Sequence, residues 1–475
     1  MKPPGQALAL AAVLATAATT GLLRTAPAAQ AQTAVQPAQR TQTFTNPLIA
    51  EGADPAVAYA NGYYYLSQSG RDGITVRTSI TLTGLKHARA RTVFAPGSEG
   101  SPCCNWWAPE IVPLDGKWYI YVAADDSRNE NHRMYVLESN TPTGMYTFKG
   151  QITPATDRWA IDGTVWNAPD GKRYFIWSGW EGEKNIKQDL YIARMKNPWT
   201  IEGDRVMISE PDQPWEKRGG NGVTLPFINE GPQMLVRDGR TTIVYSASGS
   251  WSNDYCLGTL TLTGSDPMQR ASWTKSSDCV FQTGEGGPWA PGHNILTTSP
   301  DGSETWQLYH ANEVRGSGWG GRSIRAQKVN FRADGTPDFG TPVKSGVPLP
   351  LPSGEYEAEA ASLSGTTIVE RDFASGGASA NSLKPTSSIT FGKVKAPKAG
   401  QYVLRAHYSN AGKEGTHSLK VNGQAAGSVN YVATRGWENY GTAVVRVTLK
   451  AGENTITFSG QSGDAQLDAI TVAPR

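Results

Sequence analysis

Three acidic residues, Asp54, Asp162 and Glu230, carry the side chains that hydrolysis of a glycosidic bond requires. That reaction needs a carboxylic acid on one side of the bond and a carboxylate on the other. Carboxylates that share one site push each other's pKa values apart, so that one stays ionised while another keeps its proton. Each residue also stands in an ordinary turn motif, such as Asp54-Pro55 or Asp162-Gly163, so only a shared spatial setting would make the three a site.

An internal repeat supplies that setting. Five segments combine a polar residue beside Pro or Gly, a short apolar run, a turn and an aromatic strand. The polar residues are Asp54, Glu110, Asp162, Glu230 and His293, spaced 52 to 68 residues apart, and the aromatic strands are 63–66, 118–121, 174–177, 242–245 and 306–309. Each segment has room for a four-stranded blade of a β-propeller. Because the innermost strand of every blade starts near the propeller axis, the five polar residues should converge on one central pocket.

The sequence therefore predicts an all-β fold in two units. The first is a five-bladed β-propeller over 46–350, and Pro348, Pro350 and Pro352 indicate a linker where it ends. The second, over 355–475, has alternating strands that are typical of a β-sandwich, as in a jelly-roll module.

The amino-terminal region predicts export. Residues 1–31 have the features of a signal peptide, with an apolar stretch too short to span a bilayer and a small-residue motif that ends at Ala31. Residues 32–45 are polar and are predicted to be disordered. No later segment is apolar enough for a membrane span, so we expect a secreted, extracellular monomer without a membrane partner.

Composition points to sugars and away from nucleic acids. The formal charge of +2 lacks the excess of basic residues expected for a nucleic-acid partner, whereas 15 Trp and 18 Tyr suit the binding of sugar rings. The four cysteines are predicted to form disulfides outside the cell. A bond between Cys256 and Cys279 is plausible, which leaves Cys103 and Cys104 as a vicinal pair or as thiols, but the pairing stays open.

The motifs of the five repeated segments resemble those of a known family. The ordered set 53–55, 107–110, 161–163, 230–232 and 292–294 resembles glycoside hydrolase family 43, and the stretches 103–110 and 230–235 resemble its exo-α-L-arabinofuranosidase branch. The resemblance implies an inverting five-bladed propeller acting on arabinofuranosides or xylosides. It implies Asp54 as general base, Glu230 as general acid and Asp162 as the group that tunes and orients the acid. By the same resemblance, His293 faces a calcium or similar ion on the axis.

Further residues could bind substrate. Trp107 is a candidate for stacking on the sugar, although a packing role is equally open. Arg322 could hydrogen-bond sugar hydroxyls, and Arg325 is its rival, while a surface salt bridge is the alternative for both.

The carboxy-terminal unit resembles carbohydrate-binding modules of families 6 and 35. That resemblance implies that Glu357, Glu359 and Asp468 hold a structural calcium, an ion that carboxylates suit. Trp437 is a candidate sugar platform or a packing residue at the edge of the sandwich. No cofactor is expected for the chemistry itself.

Together these observations predict a secreted inverting glycoside hydrolase that releases L-arabinose from α-L-arabinofuranosides, arabinan or arabino-oligosaccharides, in plant cell-wall polysaccharide. Two alternatives stay open. One is a β-xylosidase or an arabinoxylan arabinofuranohydrolase. The other is a non-catalytic carbohydrate-binding propeller, against which the three acids at positions 54, 162 and 230 speak.

Overall fold

The computed structural model describes residues 41–97, 102–219 and 225–475. The predicted signal peptide over 1–31 lies outside the described residues. The regular secondary structure of these residues is almost entirely β-strand, as predicted, with short 3₁₀ helices at Thr83–Lys86, Asn129–Asn131, Pro214–Lys217, Arg270–Ser272 and Ala358–Ala360. In the described parts of the chain, no helix has the length and apolar character needed to cross a membrane.

The strands between residues 56 and 338 fall into five consecutive antiparallel sets of four. After β1 (Thr43–Thr45), the first set is β2 (Ala56–Ala60), β3 (Tyr63–Gly70), β4 (Gly73–Ser79) and β5 (Arg91–Phe94). The second is β6 (Cys104–Leu114), β7 (Lys117–Asp125), β8 (Arg133–Ser139) and β9 (Thr147–Gln151). The third is β10 (Ala160–Asn167), β11 (Arg173–Gly179), β12 (Lys187–Asn197) and β13 (Thr200–Ser209). The fourth is β14 (Phe227–Arg237), β15 (Arg240–Ala247), β16 (Cys256–Leu262) and β17 (Trp273–Lys275). The fifth is β18 (Trp289–Thr298), β19 (Thr305–Asn312), β20 (Arg322–Phe331) and β21 (Pro337–Asp338).

These sets support the predicted five blades, and we refer to them as blades one to five. Blades three and four are joined by a short parallel pairing of β12 with β14. The aromatic second strands pack between neighbouring blades; Tyr121 of blade two, for example, contacts Phe175 of blade three with ring centroids 5.4 Å apart. Burial of these large rings contributes strongly to blade stacking because aromatic side chains bury the most apolar area.

The start of each inner strand has the same backbone kink. Asp54, Ala108, Asp162, Gly231 and His293 all have positive φ angles, between 45° and 57°. In β6, β10, β14 and β18 the kink coincides with a shift in strand register, which marks a β-bulge. A bulge turns a side chain out of its regular direction, and we infer that these bulges direct the polar side chains toward the propeller axis. In blade two the kinked residue is Ala108, so Glu110, which the repeat placed there, lies two residues further along its strand.

Residues 32–40 of the segment predicted to be disordered, 32–45, lie outside the described residues, and for its last residues the prediction is wrong. Thr43–Thr45 forms β1, which pairs antiparallel with β22 (Pro348–Pro350). Phe44 between the two threonines packs near Trp306, with centroids 6.0 Å apart. The partial burial of this ring and the strand pairing order the segment, and the predicted linker supplies the pairing partner.

The carboxy-terminal unit is a β-sandwich, as predicted. Its strands are β23 (Glu355–Glu357), β24 (Ser362–Ser364), β25 (Ile368–Glu370), β26 (Ala378–Ala380), β27 (Ser388–Ala396), β28 (Gly400–Asn410), β29 (Gly415–Val421), β30 (Gln424–Tyr431), β31 (Gly436–Leu449), β32 (Gly452–Ser462) and β33 (Ala465–Pro474). One sheet has the order β25-β26-β33-β28-β31, with β23 beside β33, and the other has the order β24-β27-β32-β29-β30. A shared core that includes Leu404 and Phe458 lies between the two sheets.

The module packs directly against blade one. The buried Glu355 carboxylate accepts hydrogen bonds from the Leu82 backbone and, at 3.1 Å, from the Thr83 hydroxyl. The Thr81 and Ser375 hydroxyls are hydrogen-bonded at 2.6 Å. The linker is therefore not the sole connection between the two units.

Both cysteine pairs that the sequence left open are disulfide-bonded. Cys103 bonds its neighbour Cys104, and Cys256 at the start of β16 bonds Cys279. The first bond lies at the entrance to β6, four residues before the kink at Ala108.

Candidate active site

A cavity of about 460 Å³ lies where the kinked inner strands meet. It is lined by Asp54, Trp107, Asn129, Trp159, Ile161, Asp162, Asn185, Gln188, Pro226, Ile228, Glu230, Ser250, Trp251, His293, His310, Trp319 and Arg322. The structure thus brings together six of the residues singled out in the sequence: the three carboxylates, Trp107, His293 and Arg322. A concave, largely apolar pocket with a few convergent polar groups is the usual form of a small-ligand site.

Three side-chain nitrogen atoms surround the Asp54 carboxylate. Its Oδ1 lies 3.1 Å from His310 Nδ1, 3.3 Å from Arg322 Nη1 and 3.4 Å from His293 Nδ1. Burial alone would raise the pKa of Asp54, but His293, His310 and Arg322 outweigh it and hold the pKa well below its ordinary value. Burial also lowers the pKa of His293 to about 4, so at neutral pH the Arg322 guanidinium is the cation that faces the Asp54 carboxylate. Asp54 is therefore ionised at neutral pH.

Glu230 has the opposite tendency. Burial raises its pKa to about 7, although the Tyr255 hydroxyl, which donates to Oε1 at 2.8 Å, acts to lower it. Near neutral pH a large share of Glu230 is therefore protonated. A pair of carboxyl groups whose environments push their pKa values apart is the arrangement that acid–base hydrolysis uses.

Asp162 connects to the strand of Glu230. Its Oδ2 accepts a hydrogen bond of 3.1 Å from the Gly231 backbone N–H, the peptide that follows Glu230. Burial, and then the charges of Glu230 and Asp54, raise the pKa of Asp162 well above its ordinary value. Asp162 thus both fixes the backbone at Glu230 and interacts electrostatically with its carboxyl group.

The cavity has aromatic walls on two sides. Trp107 is 39 % exposed and stacks on the buried His132 ring, with centroids 3.9 Å apart. On the other side Trp319, 61 % exposed, meets Trp251 edge to face, and its indole N–H donates to the Ser250 hydroxyl at 3.0 Å. Flat, rigid faces at the rim of a pocket suit the apolar faces of sugar rings.

Sequence reasoning missed several residues of this site. Trp159, Trp251 and Trp319 lie in loops outside the repeat. His310 lies at the end of a second strand, where other blades carry Ser67, Ser178 and Ser246. The serines of blades one and three donate to a backbone carbonyl of the next inner strand, and Ser246 accepts from the His293 N–H. A histidine at this position breaks the pattern of serines. This difference was the sign in the sequence that could have pointed to His310.

Two other candidates lie elsewhere. Arg325 is fully buried and bonds Glu313 and the Val343 carbonyl, so a role in substrate binding is wrong for Arg325. Arg322, three residues earlier in the chain, lines the cavity instead. Trp437 lies in the module, half-buried, with the Arg371 guanidinium 5.7 Å from its ring centroid.

The acidic residues of the module lie close together. Ser375 donates from its hydroxyl to Glu357 Oε1 at 2.7 Å and from its backbone N–H to the Asp468 carboxylate at 3.0 Å. Burial, and then the charges of Glu359 and Asp468, raise the pKa of Glu357 well above its ordinary value. Among the described residues, Glu357 Oε2 is buried without a hydrogen-bond partner. This donor set suits the chemistry of a hard cation. As they stand, however, no three His, Cys, Asp or Glu side chains in the described ranges have the geometry of a metal site.

Comparisons with known proteins agree with this architecture. Residues 357–473 match the carbohydrate binding module of family 6. An extracellular exo-α-(1→5)-L-arabinofuranosidase of Streptomyces avermitilis is 40 % identical over 338 residues, which cover 68 % of this chain and 69 % of that protein. The α-L-arabinofuranosidase 43 of Humicola insolens is 37 % identical over 65 % of each chain. The crystal structure of an α-L-arabinofuranosidase from Lactobacillus brevis, 34 % identical, superposes with a TM-score of 0.59 over 64 % of this chain and 98 % of that one. Residues 44–337, which hold all five blades and the whole cavity, match glycosyl hydrolases family 43, and the chain belongs to that family.

Proposed function

We propose that this glycoside hydrolase releases L-arabinose from the ends of α-L-arabinofuranosyl chains with inversion at the anomeric carbon. The observation that carries the proposal is the opposite behaviour of two carboxyl groups in one cavity. Asp54 is held ionised by Arg322 and its histidine neighbours, whereas Glu230 is held near neutrality by burial. The names of the Streptomyces avermitilis and Humicola insolens relatives favour arabinofuranosides as substrate.

The chemistry follows from these states. The ionised Asp54 takes a proton from a water molecule, which attacks the anomeric carbon of the bound sugar. Glu230 donates its proton to the departing glycosidic oxygen, so that the bond to the leaving sugar breaks. In an inverting reaction the water and the leaving group lie on opposite faces of the ring. Asp162 holds the Gly231 peptide and so orients Glu230, while Arg322 keeps Asp54 ionised and is placed to bond sugar hydroxyls.

The carboxy-terminal module extends this function to polymers. Its match to family 6 supports carbohydrate binding, with arabinan or arabinoxylan of plant cell walls as the proposed ligand and Trp437 as a platform for it. A bound module raises the local concentration of the enzyme at its substrate. We further propose that the enzyme is exported and works as a monomer, and that calcium binds at Glu357, Glu359 and Asp468. A second ion near His293 on the propeller axis belongs to the same proposal.

A panel of nitrophenyl glycosides tests the substrate. Release from the α-L-arabinofuranoside and not from the β-D-xyloside is expected, and the reverse preference would identify a β-xylosidase. On linear arabinan, arabinose should be the main product from the first minutes, whereas longer oligosaccharides would show internal cleavage. NMR of the first-formed sugar should show the inverted anomer.

A further inference from the structure

A buried carboxyl group that the mechanism does not use joins three inner strands. Glu110 of β6 accepts hydrogen bonds from the Thr164 hydroxyl of β10 and, at 2.6 Å, from the Gln233 amide of β14. Its side chain is buried and is not among the described residues that line the cavity. Glu110 therefore does not reach a sugar in the pocket, yet it connects blades two, three and four.

Both donors stand next to proposed catalytic carboxyl groups. Thr164 lies two residues after Asp162, and Gln233 lies three residues after Glu230. In each strand the bulge, where the register shifts, lies directly before the donor residue. A bulge interrupts the regular ladder of hydrogen bonds, so these short segments have fewer backbone bonds to hold them in place.

We propose that Glu110 is a positioning residue that fixes the inner ends of the two bulges and thereby the spacing of Asp162 and Glu230. This inference rests on the proposed function. One carboxylate can accept from two strands at once because its two oxygens point in different directions. Burial raises the pKa of Glu110 to about 7, against the effect of its Thr164 and Gln233 hydrogen bonds, which agrees with a group enclosed by protein on all sides.

The Glu110 acceptor matters because acid catalysis depends on the position of the Glu230 carboxyl group. A displacement of about 1 Å at a reacting group can cost about 10²-fold in rate. Glu110→Ala removes the acceptor of both donors and leaves space into which the bulges can relax. The loss should fall on kcat and not on KM, since no substrate contact is removed.

The dependence on leaving group separates positioning from mere stability. A dinitrophenyl leaving group departs without a proton, whereas a sugar leaving group requires one from Glu230. If Glu110 positions the acid, Glu110→Ala should lower kcat on arabinobiose by about 10²-fold. The fold-loss of kcat on dinitrophenyl arabinofuranoside should be several times smaller. Glu110→Gln should regain most of the lost kcat, because the Gln233 amide can turn over and pair with the new amide.

Glu355→Ala provides the matched control. It also removes a buried carboxylate that accepts from two donors, but at the interface with the module. Its kcat ratio between the two substrates should equal that of the wild type even if its Tm falls. An unchanged kcat in Glu110→Ala, or an equal loss on both substrates, would overturn the positioning role. If the wild type cleaved only xylosides, the substrate proposal would fail, and the same comparison on xylosides would still decide the role of Glu110.

Discussion

The Tyr255 hydroxyl donates a hydrogen bond of 2.8 Å to Oε1 of Glu230, the proposed general acid. The same tyrosine ring lies parallel to that of His310, with an interplanar angle of 9° and centroids 5.6 Å apart. His310 Nδ1 in turn lies 3.1 Å from Asp54 Oδ1. Tyr255 thus contacts the proposed acid directly and the proposed base through His310. Changes at Tyr255 should therefore alter the pH dependence of activity more than the fold.

The first prediction concerns the alkaline limb of activity. Glu230 must be protonated to act as acid, so kcat/KM should fall as the pH rises through the pKa of Glu230, about 7. The Tyr255 hydroxyl stabilises the ionised carboxylate and lowers that pKa. Tyr255→Phe should therefore raise the pKa and move the alkaline limb to higher pH. Because the charge of Glu230 also acts on Asp162, the alkaline limb reports the titration of these two carboxyl groups together.

Tyr245→Phe is the control for this shift. Tyr245 lies in the same blade, and its hydroxyl donates to the buried Glu216 instead. Its pH profile should match that of the wild type. A Tyr255→Phe limb that stayed in place or moved to lower pH would refute the assignment of Glu230 as the titrating acid.

The second prediction concerns the base. Asp54→Asn keeps the size of the side chain but removes the group that accepts a proton from water. We expect kcat to fall by about 10²–10⁴-fold, the usual cost of losing a positioned acid or base. Asp301→Asn, in a partly buried network of serines outside the cavity, should leave kcat within about twofold. Near-normal turnover by Asp54→Asn would remove Asp54 from the mechanism.

The repeat in the sequence located the three proposed catalytic carboxyl groups because each stands at or next to the same position of its blade. Asp54 and Asp162 occupy the same kinked position, and Glu230 directly precedes the kinked residue of blade four. The repeat aligned Glu110 with the kinked residues of the other blades, although Glu110 lies two positions after the kink at Ala108. A bulge adds a residue to one strand without leaving a mark in the amino-acid pattern, so the sequence did not reveal this offset. The position of Ala108 at the kink depends on backbone geometry that residue types do not encode.

Other features depended on contacts between distant segments. His310 was missed because the repeat was read from the first strand of each blade, whereas His310 lies near the end of a second strand, β19, and reaches the Asp54 of another blade. The packing of Glu355 against Leu82 joins residues 273 positions apart. The sequence around Glu355 has no local pattern that indicates Leu82 as its contact, and the sequence around Leu82 has none that indicates Glu355. The contact could therefore not be predicted from either segment.

The third prediction concerns the aromatic wall at Trp319. The backbone carbonyl of Trp319 accepts a hydrogen bond from Arg322 Nε at 3.2 Å, and Arg322 also contacts Asp54, so Arg322 connects the residue with the exposed indole to the proposed base. Trp319→Ala should raise KM for arabino-oligosaccharides by about tenfold, a typical cost of removing an aromatic anchor. Trp199→Ala is the control, because Trp199 is 37 % exposed on blade three but does not line the cavity. Equal KM values for the two variants would exclude Trp319 from substrate binding.

The fourth prediction concerns the interface between propeller and module. Burial raises the pKa of Glu355 from 4.5 to about 8, against the hydrogen bonds from Leu82 and Thr83. In the unfolded chain the carboxyl group ionises near its ordinary value, whereas in the folded protein it keeps its proton up to about pH 8. The folded state thus binds more protons than the unfolded state between these values. Stability from this group is complete below pH 4.5 and is lost as the pH rises through about 8.

Glu355→Gln should remove this dependence, since the amide keeps the shape of the neutral acid but does not ionise. Relative to the wild type, Glu355→Gln should gain stability steadily as the pH rises from 5 to 8, by at most about 1.4 kcal/mol per pH unit. Thermal unfolding at several pH values measures the difference in Tm, and Glu453→Gln on an exposed strand of the module controls for the change in charge. A difference between Glu355→Gln and the wild type that stayed constant with pH would show that Glu355 ionises alike in both states. The carboxyl group would then be solvated at the interface, and the tight packing of the module on blade one would not persist in solution.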